Sequence, residues 1–413
     1  MPVETKLRHR APRGGSGRFK IKQNTIASQQ ADLLRLVRAR DGLSRVELAR
    51  SLNLAPSTVG IYVGHLVEEG YLFEGKTAAR DFGRPPTILA LNPQGGRFIG
   101  VDFEARNIMA VAVDFSQRPL KEFHDTIALA DSVENILRKI EHAIETVGAD
   151  DSRKVLGIGV GVPGVIDPAR GIALNYKHIK GWSNVPLVSR LAARFGVPVF
   201  LENNVRTMAL AELWFGQGRG LRNFICLGVR SGVGAGIVID RQLHHGADNR
   251  AGEIGDWPCL LATGNGAGGS RPGRAFVRLE DMASFQSVQN WLPVPARPKP
   301  NLLVAPGTEV PVEALLEAAK AGDKTVLGIL DRAAQTFGLA LNQLNCAFNP
   351  EKIILAGVLT SFGDLFLRRL EKSLETFSPP SGLPPVVNSN LGSFNGALGA
   401  AALAVHEWKP VPH

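Results

Sequence analysis

Cysteines are few in this sequence, and they lie far apart. Cys226, Cys259 and Cys346 are the three cysteines in 413 residues. An odd number at wide spacing argues against a disulfide framework and is typical of a reducing compartment. The sequence also lacks a run of about 20 apolar residues, and no apolar segment follows its basic start, so neither a membrane span nor a signal peptide is predicted. We therefore expect a soluble, cytoplasmic protein.

Charged residues are also scarce, at 21% of the chain, and 44% of the residues are hydrophobic. A chain of this length and composition can bury one large core with a small one beside it, which predicts two folded units. Residues 1–92 contain 15 lysines and arginines against 8 aspartates and glutamates, so this end carries +7 of the total +9. A concentrated basic end indicates a nucleic-acid partner, although basic tails also aid solubility.

The first 92 residues divide into a basic arm and a small helical unit. Residues 1–24 contain too few apolar side chains for a core, which predicts a flexible arm. From Thr25 apolar residues recur at helical spacing until Gly42, which predicts the first helix. Ser44 and Glu47 have the spacing of a capping box, so a second short helix is expected to run to about Ser51.

A third helix and a β-wing complete the predicted unit over residues 25–92. Pro56 stands where proline favours the first helical position, and Val59, Val63 and Leu66 form an inward stripe. The segments 68–72 and 87–91 are interpreted as wing strands, with the tip at 76–86. Two short helices joined by a tight turn and followed by a wing are typical of a winged helix-turn-helix.

The outward side chains of the third helix and the arginines of the wing are the predicted DNA contacts. Arginine at the wing tip can enter a narrow minor groove, where the negative potential is strongest. A protein-interaction or dimerisation module is the alternative for so small a unit, but topology and charge together favour DNA binding. The predicted contacts are Ser57, Thr58, Tyr62 and His65 on the helix and Arg80 and Arg84 on the wing.

Two stretches of the remaining chain have the same pattern. Residues 97–116 and 223–241 each contain two alternating apolar runs, which predicts a β-hairpin at the start of each half. This repetition indicates an internally duplicated α/β fold with a cleft between two lobes.

The large unit contains seven motifs in a fixed order, which are GIGVGVPGVIDPARG at 157–171, GWSNVPL at 181–187, FGVPVFLENNVRTMALAE at 195–212, SGVGAGIVID at 231–240, AGEIGD at 251–256, RLEDMAS at 278–284 and NPEKIILAG at 349–357. With these motifs the chain resembles the ROK family of repressors, open reading frames and kinases, over about residues 25–405. The resemblance implies a two-lobed actin-like, hexokinase-like (ribonuclease H-like) ATPase-type domain over 97–413, acting as a sensor and oligomerisation unit. The winged helix places the chain with the family's repressors.

The kinase chemistry that the resemblance implies is altered in this chain. The first phosphate loop carries bulky and acidic residues at 102–106 instead of small ones, and the second is Arg230-Ser231-Gly232. The family's general base is the aspartate of a Glu-Asn-Asp motif, and here that position is Asn204. An amide cannot accept the proton of a sugar hydroxyl, so we expect no kinase activity and no cofactor.

The sugar-binding positions that the resemblance implies are better preserved. Asp256 replaces a histidine that in the family contacts sugar and joins three cysteines around zinc. Because no such cysteine run follows it, we expect no metal site, and we interpret His244, His245 and Asp248 as polar loop residues. A carboxylate at position 256 discourages anionic ligands. The predicted ligand contacts are Asn203, Asn204, Glu253, Asp256 and Glu280.

Three functions follow from these observations. The leading hypothesis is a sugar-responsive repressor of carbohydrate uptake or catabolism that binds double-stranded operator DNA as a homodimer or homotetramer. A sugar kinase with an appended DNA-binding domain is the second, and it needs another base. Glu202 is the nearest carboxylate, but it points to the opposite side if its segment is extended. The third is a DNA-binding protein whose C-terminal unit is an oligomerisation scaffold.

Overall fold

The computed structural model describes most of the chain in seven ranges. These are residues 26–40, 42–76, 87–149, 152–260, 276–292, 310–376 and 382–411. The basic arm and the wing tip with Arg80 and Arg84 lie outside the described residues. Among the helices in these ranges, none is long and apolar enough to cross a bilayer.

The N-terminal unit has the predicted helices and wing. The Ser44 side chain accepts a hydrogen bond from the Glu47 amide, and Glu47 bonds back to the Ser44 amide, which confirms the capping box. Asn53 ends the second helix in the left-handed conformation, and Pro56 is the first residue of the third. The elements are α1 (Ile26–Ala39), β1 (Leu43–Ser44), α2 (Arg45–Leu52), α3 (Pro56–Glu68), β2 (Leu72–Lys76) and β3 (Thr87–Leu91). The strand order is β1-β3-β2.

The first lobe is built on a five-stranded sheet. Its elements are β4 (Arg97–Phe103), β5 (Asn107–Asp114), β6 (Pro119–Thr126), α4 (Val133–Gly148), β7 (Val155–Val162), β8 (Val165–Asp167), β9 (Ile172–Asn175), β10 (Ser183–Val185), α5 (Leu187–Phe195), β11 (Val199–Asn203) and α6 (Asn204–Trp214). The order in the large sheet is β6-β5-β4-β7-β11. Strands β4 and β5 form the first predicted hairpin, and β4, β7 and β11 run parallel.

The second lobe repeats this sheet. Its elements are β12 (Phe224–Val229), β13 (Val233–Ile239), β14 (Gln242–Leu243), a 3₁₀ turn (Ile254–Asp256), β15 (Pro258–Leu260), β16 (Phe276–Arg278), α7 (Leu279–Ala283), α8 (Phe285–Trp291), α9 (Val312–Lys320), α10 (Lys324–Phe348), β17 (Lys352–Gly357), a 3₁₀ turn (Val358–Phe362), α11 (Asp364–Thr376), β18 (Val386–Asn388) and α12 (Asn395–Glu407). The order β14-β13-β12-β17-β18 again joins an antiparallel meander to two parallel strands. The predicted duplication is therefore confirmed.

Helix α12 returns from the second lobe and packs on the first. It lies against β4, β7 and α6, where small residues allow close approach of the backbones. A Cβ atom added at Gly399 would lie 1.7 Å from the carbonyl oxygen of Thr207, and one added at Gly159 would lie 1.8 Å from that of Ala400. Larger side chains at these two glycines would therefore push α12 away from the sheet.

The winged helix and the first lobe share one apolar core. Buried Leu33, Val59 and Leu89 of the winged helix belong to the same cluster as Phe98 of β4 and Trp408 after α12. The predicted two units are thus joined by continuous packing, in addition to the peptide chain between them.

Candidate ligand cleft and DNA-binding surface

Helix α3 presents some of the predicted DNA contacts and buries one. Ser57 and His65 are exposed, and Thr58 is half-buried, whereas Val63 and Leu66 are buried as expected. These exposed polar side chains can donate to and accept from phosphates and base edges. Their contact with DNA remains a prediction.

The prediction that Tyr62 faces outward is wrong. Its side chain is 9% exposed and belongs to the core beneath α3. Its hydroxyl donates to Oε1 of Gln29 on α1, over 2.6 Å. A helical stripe at positions 59, 63 and 66 is wide enough to include position 62, and the phenol satisfies its polar end against α1. Tyr62 therefore links α3 to α1.

Arg45 is a functional candidate that the sequence reasoning missed. Its guanidinium bonds to Oε1 of Glu74 on β2, at 2.7 and 3.0 Å, and to the carbonyl oxygen of Gly60 on α3, at 3.3 Å. A residue at the start of α2 therefore fixes α3 relative to the wing. The sequence gives no signal of this contact, because Arg45 and Glu74 are 29 residues apart.

Aromatic rings and one arginine dock the winged helix on the body. Trp408 packs edge-on against Tyr71 and Phe115, with ring centroids 5.1 and 5.8 Å apart, and Tyr71 stacks on Phe115 at 5.1 Å. Arg35 of α1 donates from Nε and Nη2 to the carbonyl oxygen of His406, at 3.1 and 2.5 Å. The C-terminal end of α12 is therefore attached directly to the DNA-binding unit.

The predicted ligand contacts line one cavity between the lobes. This ligand cleft has a volume of about 310 Å³, and its lining includes residues from both sheets, the 3₁₀ turn and α7. Ligand pockets usually span roughly 300–1,000 Å³, so the cleft has the size for a monosaccharide. The predicted residues in its lining are Asn203, Asn204, Glu253, Asp256 and Glu280.

Asn203 and Glu202 have structural partners that limit their roles. The Asn203 side-chain oxygen accepts from the amides of Val205 and Arg206, which caps α6, and its nitrogen donates to Gly164. Glu202 points away from the cleft, where Oε1 accepts from Arg206 at 2.7 Å and Oε2 lies 2.8 Å from His245 Nε2. Burial alone would raise the pKa of Glu202, but the His245 hydrogen bond and the Arg206 charge outweigh it and hold the pKa below its usual range.

Asn204 and Glu253 are the polar side chains most available to a ligand. Asn204 is 7% exposed and Glu253 is half-buried, and neither side chain has a hydrogen-bond partner within the described ranges. Burial raises the pKa of Glu253, Arg206 opposes this, and the carboxylates of Asp256 and Glu280 raise it further. Polar groups that are buried or half-buried and have no protein partner favour a ligand that supplies hydroxyl groups.

Glu280 and Asp256 have cationic partners that the sequence did not predict. Lys177, from the loop after β9, donates to Oε1 of Glu280 over 2.6 Å and so bridges the two lobes. Arg278 bonds to the same oxygen at 3.0 Å and to Asp256 at 3.4 Å. His178 also lines the cleft, and burial followed by the Lys177 charge lowers its pKa. A ligand that binds Glu280 therefore either shares this carboxylate with Lys177 and Arg278 or displaces them.

The two segments that the family resemblance interprets as phosphate loops contact each other across the lobes. Arg230 donates to Oδ2 of Asp102, and the Ser231 hydroxyl donates to Oε2 of Glu104 over 3.2 Å. Burial raises the pKa of Asp102 to about 6, while Arg230 opposes the shift. A second cavity, of about 750 Å³, lies on the far side of these contacts. Protein side chains thus occupy the junction between the two cavities.

The described residues contain no group of three or more histidine, cysteine or acidic side chains placed to hold a metal ion. His245 and Cys259 lie in the described part of the chain, while most of the loop that follows Cys259, residues 261–275, lies outside it.

A winged helix packed on a duplicated, two-lobed α/β body defines a DNA-binding protein of sugar-kinase-like fold. The chain belongs to the ROK family, whose profile matches residues 98–407, and a winged helix-turn-helix DNA-binding profile matches residues 30–72.

Three known proteins illustrate the range of this similarity. The xylose repressor of Caldicellulosiruptor bescii is 29% identical over 370 residues, which cover 84% of this chain and 88% of that protein. The glucokinase of Thermotoga maritima is 30% identical over 313 residues, or 74% of this chain and 96% of the kinase. The crystal structure of a ROK family transcriptional regulator, a homologue of the E. coli MLC protein, covers 92% of this chain and 96% of its own with a TM-score of 0.73 and 24% identity. Both repressors and kinases are therefore similar to this chain.

Proposed function

We propose that the protein is a transcriptional regulator, acting as a repressor of carbohydrate uptake or catabolism genes. It binds double-stranded operator DNA through the winged helix and responds to a sugar in the ligand cleft. The observation that carries this proposal is the convergence of Asn204, Glu253 and Glu280 on one monosaccharide-sized cavity of a chain that also carries a DNA-binding unit. The similarity to a xylose repressor supports the same function.

The same cleft supports sensing without phosphorylation. By the family resemblance Asn204 takes the place of the general base, and an amide has no lone pair basic enough to accept a proton from a hydroxyl at neutral pH. Glu202 cannot replace it, because its carboxylate is buried on the other side of the strand against Arg206 and His245. The contacts between Arg230 and Asp102 stand between the two cavities. The ligand is therefore bound and released unchanged.

Helix α12 supplies a route from the cleft to the DNA-binding unit. At its start Asn395 lines the second cavity, and a Cβ atom added at Gly396 would lie 2.5 Å from the Asp102 carboxylate. Its other end carries the His406 carbonyl that Arg35 holds. A helix of 13 residues spans about 20 Å, so a change in lobe closure at Asp102 is transmitted along a rigid rod to α1. Couplings of this kind are typically worth about 1–3 kcal/mol.

The proposal is tested by measuring DNA binding and phosphorylation with the same preparation. Duplexes enriched by in vitro selection with the full-length protein serve as operators, and their affinity is measured by fluorescence anisotropy with and without D-xylose, D-glucose and N-acetylglucosamine. We expect at least one sugar to change the DNA affinity, and no ATP turnover in a coupled assay. DNA affinity that is indifferent to every sugar would remove the sensor function. Sugar-dependent ATP turnover would instead indicate a kinase.

A further inference from the structure

The ligand cleft ends at a wall of side chains that separates it from the second cavity. We define the dividing wall as Asp102, Glu104, Tyr176, Arg230 and Ser231. Glu104 and Arg230 are the two lining residues that both cavities share. Whatever binds in the cleft therefore meets these two side chains at this end.

The wall is held together by contacts between the lobes. Arg230 donates to the buried carboxylate of Asp102, and Glu104 accepts from the Ser231 hydroxyl through Oε2 and from the Asn107 side chain through Oε1, at 3.2 Å each. Burial, and next the charge of Glu104, raises the pKa of Tyr176, so its phenol is neutral at the wall. The Glu104 carboxylate is thus fixed in position by donors from both lobes.

The charge of the wall is negative. The wall contains two carboxylates, those of Asp102 and Glu104, and one guanidinium, that of Arg230. Burial alone would lower the pKa of Arg230, but the charges of both carboxylates raise it. The lining of the whole ligand cleft also has an excess of negative charge, since it contains four acidic residues and three lysines and arginines. Asp256, in contrast, has a side chain that is 70% exposed and is paired with Arg278. Glu104 lies in the sheltered wall, so it has a stronger influence than Asp256 on which ligand charge the cleft accepts.

We propose that Glu104 is a specificity-determining residue that restricts the cleft to neutral, unphosphorylated monosaccharides and rejects sugar phosphates. This inference rests on the proposed function. A phosphate monoester carries about −1.5 to −2 charges at pH 7 and would meet a wall that already has an excess negative charge. A neutral sugar hydroxyl instead donates to Glu104 and accepts from the remaining N–H groups of Arg230.

The test compares matched pairs of ligands on the full-length protein. Isothermal titration calorimetry at pH 7.5 measures D-glucose against D-glucose 6-phosphate and N-acetylglucosamine against its 6-phosphate. We expect the unphosphorylated sugar of a binding pair to bind at least about tenfold more tightly, the ratio that corresponds to 1.4 kcal/mol. The variant Glu104→Gln keeps the size of the side chain and removes its charge, so the ratio should fall several-fold. The control Glu122→Gln changes an exposed glutamate of β6 that lines neither cavity, and it should leave the ratio unchanged.

Each outcome decides the inference. A wild-type protein that binds a 6-phosphate as tightly as the free sugar, or more tightly, overturns the specificity inference and leaves the proposed function standing. Binding of neither member of either pair overturns the specificity inference, while the proposed function is then decided by the D-xylose arm of its own test. A folded Glu104→Gln variant, verified by its thermal unfolding, that keeps the wild-type ratio shows that Glu104 is not the determinant. The comparison on the wild-type protein requires no variant, so it stands even if Glu104→Gln does not fold.

Discussion

Replacing Trp408 by alanine should loosen the winged helix from the body while leaving the ligand cleft assembled. The indole is 7% exposed and packs edge-on against Tyr71, Phe98 and Phe115, at centroid distances of 5.1, 5.8 and 5.8 Å. Truncation of a buried tryptophan to alanine costs about 3–5 kcal/mol. The three aromatic pairs account for roughly 0.5–1.5 kcal/mol each within that total. The loss falls on the contact between the two units, because Tyr71 belongs to one and Phe98 to the other.

Two assays measure this effect. Equilibrium unfolding in urea gives the change in free energy, and hydrogen exchange followed by mass spectrometry reports on the amides of α1 and α3. We expect faster exchange in both helices of the Trp408→Ala variant and recovery in Trp408→Phe, which keeps a ring. The control is Trp291→Ala, a partly buried tryptophan of the second lobe, whose loss should leave exchange in the winged helix unchanged. A Trp408→Ala protein with wild-type exchange in α1 and α3 would refute the shared core.

Three further predictions concern single side chains. Ser44→Ala removes the cap of α2 and should lower the free energy of unfolding by about 1 kcal/mol in urea titrations; an unchanged value would contradict the cap. The folded state lowers the pKa of Glu202, so this residue stabilises the fold above pH 4.5, and the stabilisation is lost as the pH falls below it. Glu202→Gln should flatten the pH dependence of the free energy of unfolding below pH 4.5, and an unchanged slope would contradict this. Glu253→Gln should weaken sugar binding in calorimetry by about tenfold, or 1.4 kcal/mol; undiminished affinity would exclude Glu253 as a ligand contact.

Local features of the sequence predicted the local structure well. The capping box at Ser44 and Glu47, the proline at the start of α3 and the two hairpins each depend on residues within a few positions of one another. Such patterns are set by backbone geometry and hydrogen bonding, which the sequence determines directly. The burial of Tyr62 was missed because helical periodicity gives the centre of an apolar stripe more reliably than its edge, and a tyrosine can lie at either side of that edge.

Contacts between distant segments were not predictable in the same way. Arg230 and Asp102 are 128 residues apart, and Lys177 and Glu280 are 103 apart. Each looks like an ordinary charged residue until the two lobes bring its partner close, so the dividing wall and the bridge over the cleft were invisible in the sequence. The positions of Asn204 and Glu253 came from the family resemblance, and the structure places both in one cavity.

The proposed coupling through α12 is tested most directly by the effect of sugar on operator affinity in the wild-type protein and in a variant that lacks the Arg35 contact between α1 and the end of α12. Arg35→Met removes the bonds from α1 to the His406 carbonyl while leaving the ligand cleft untouched. With a sugar that calorimetry shows to bind, this coupling predicts a change of about fivefold or more in the wild-type dissociation constant for DNA, and a smaller change in the variant. Sugar binding of normal affinity with no change in the wild-type dissociation constant for DNA would contradict it.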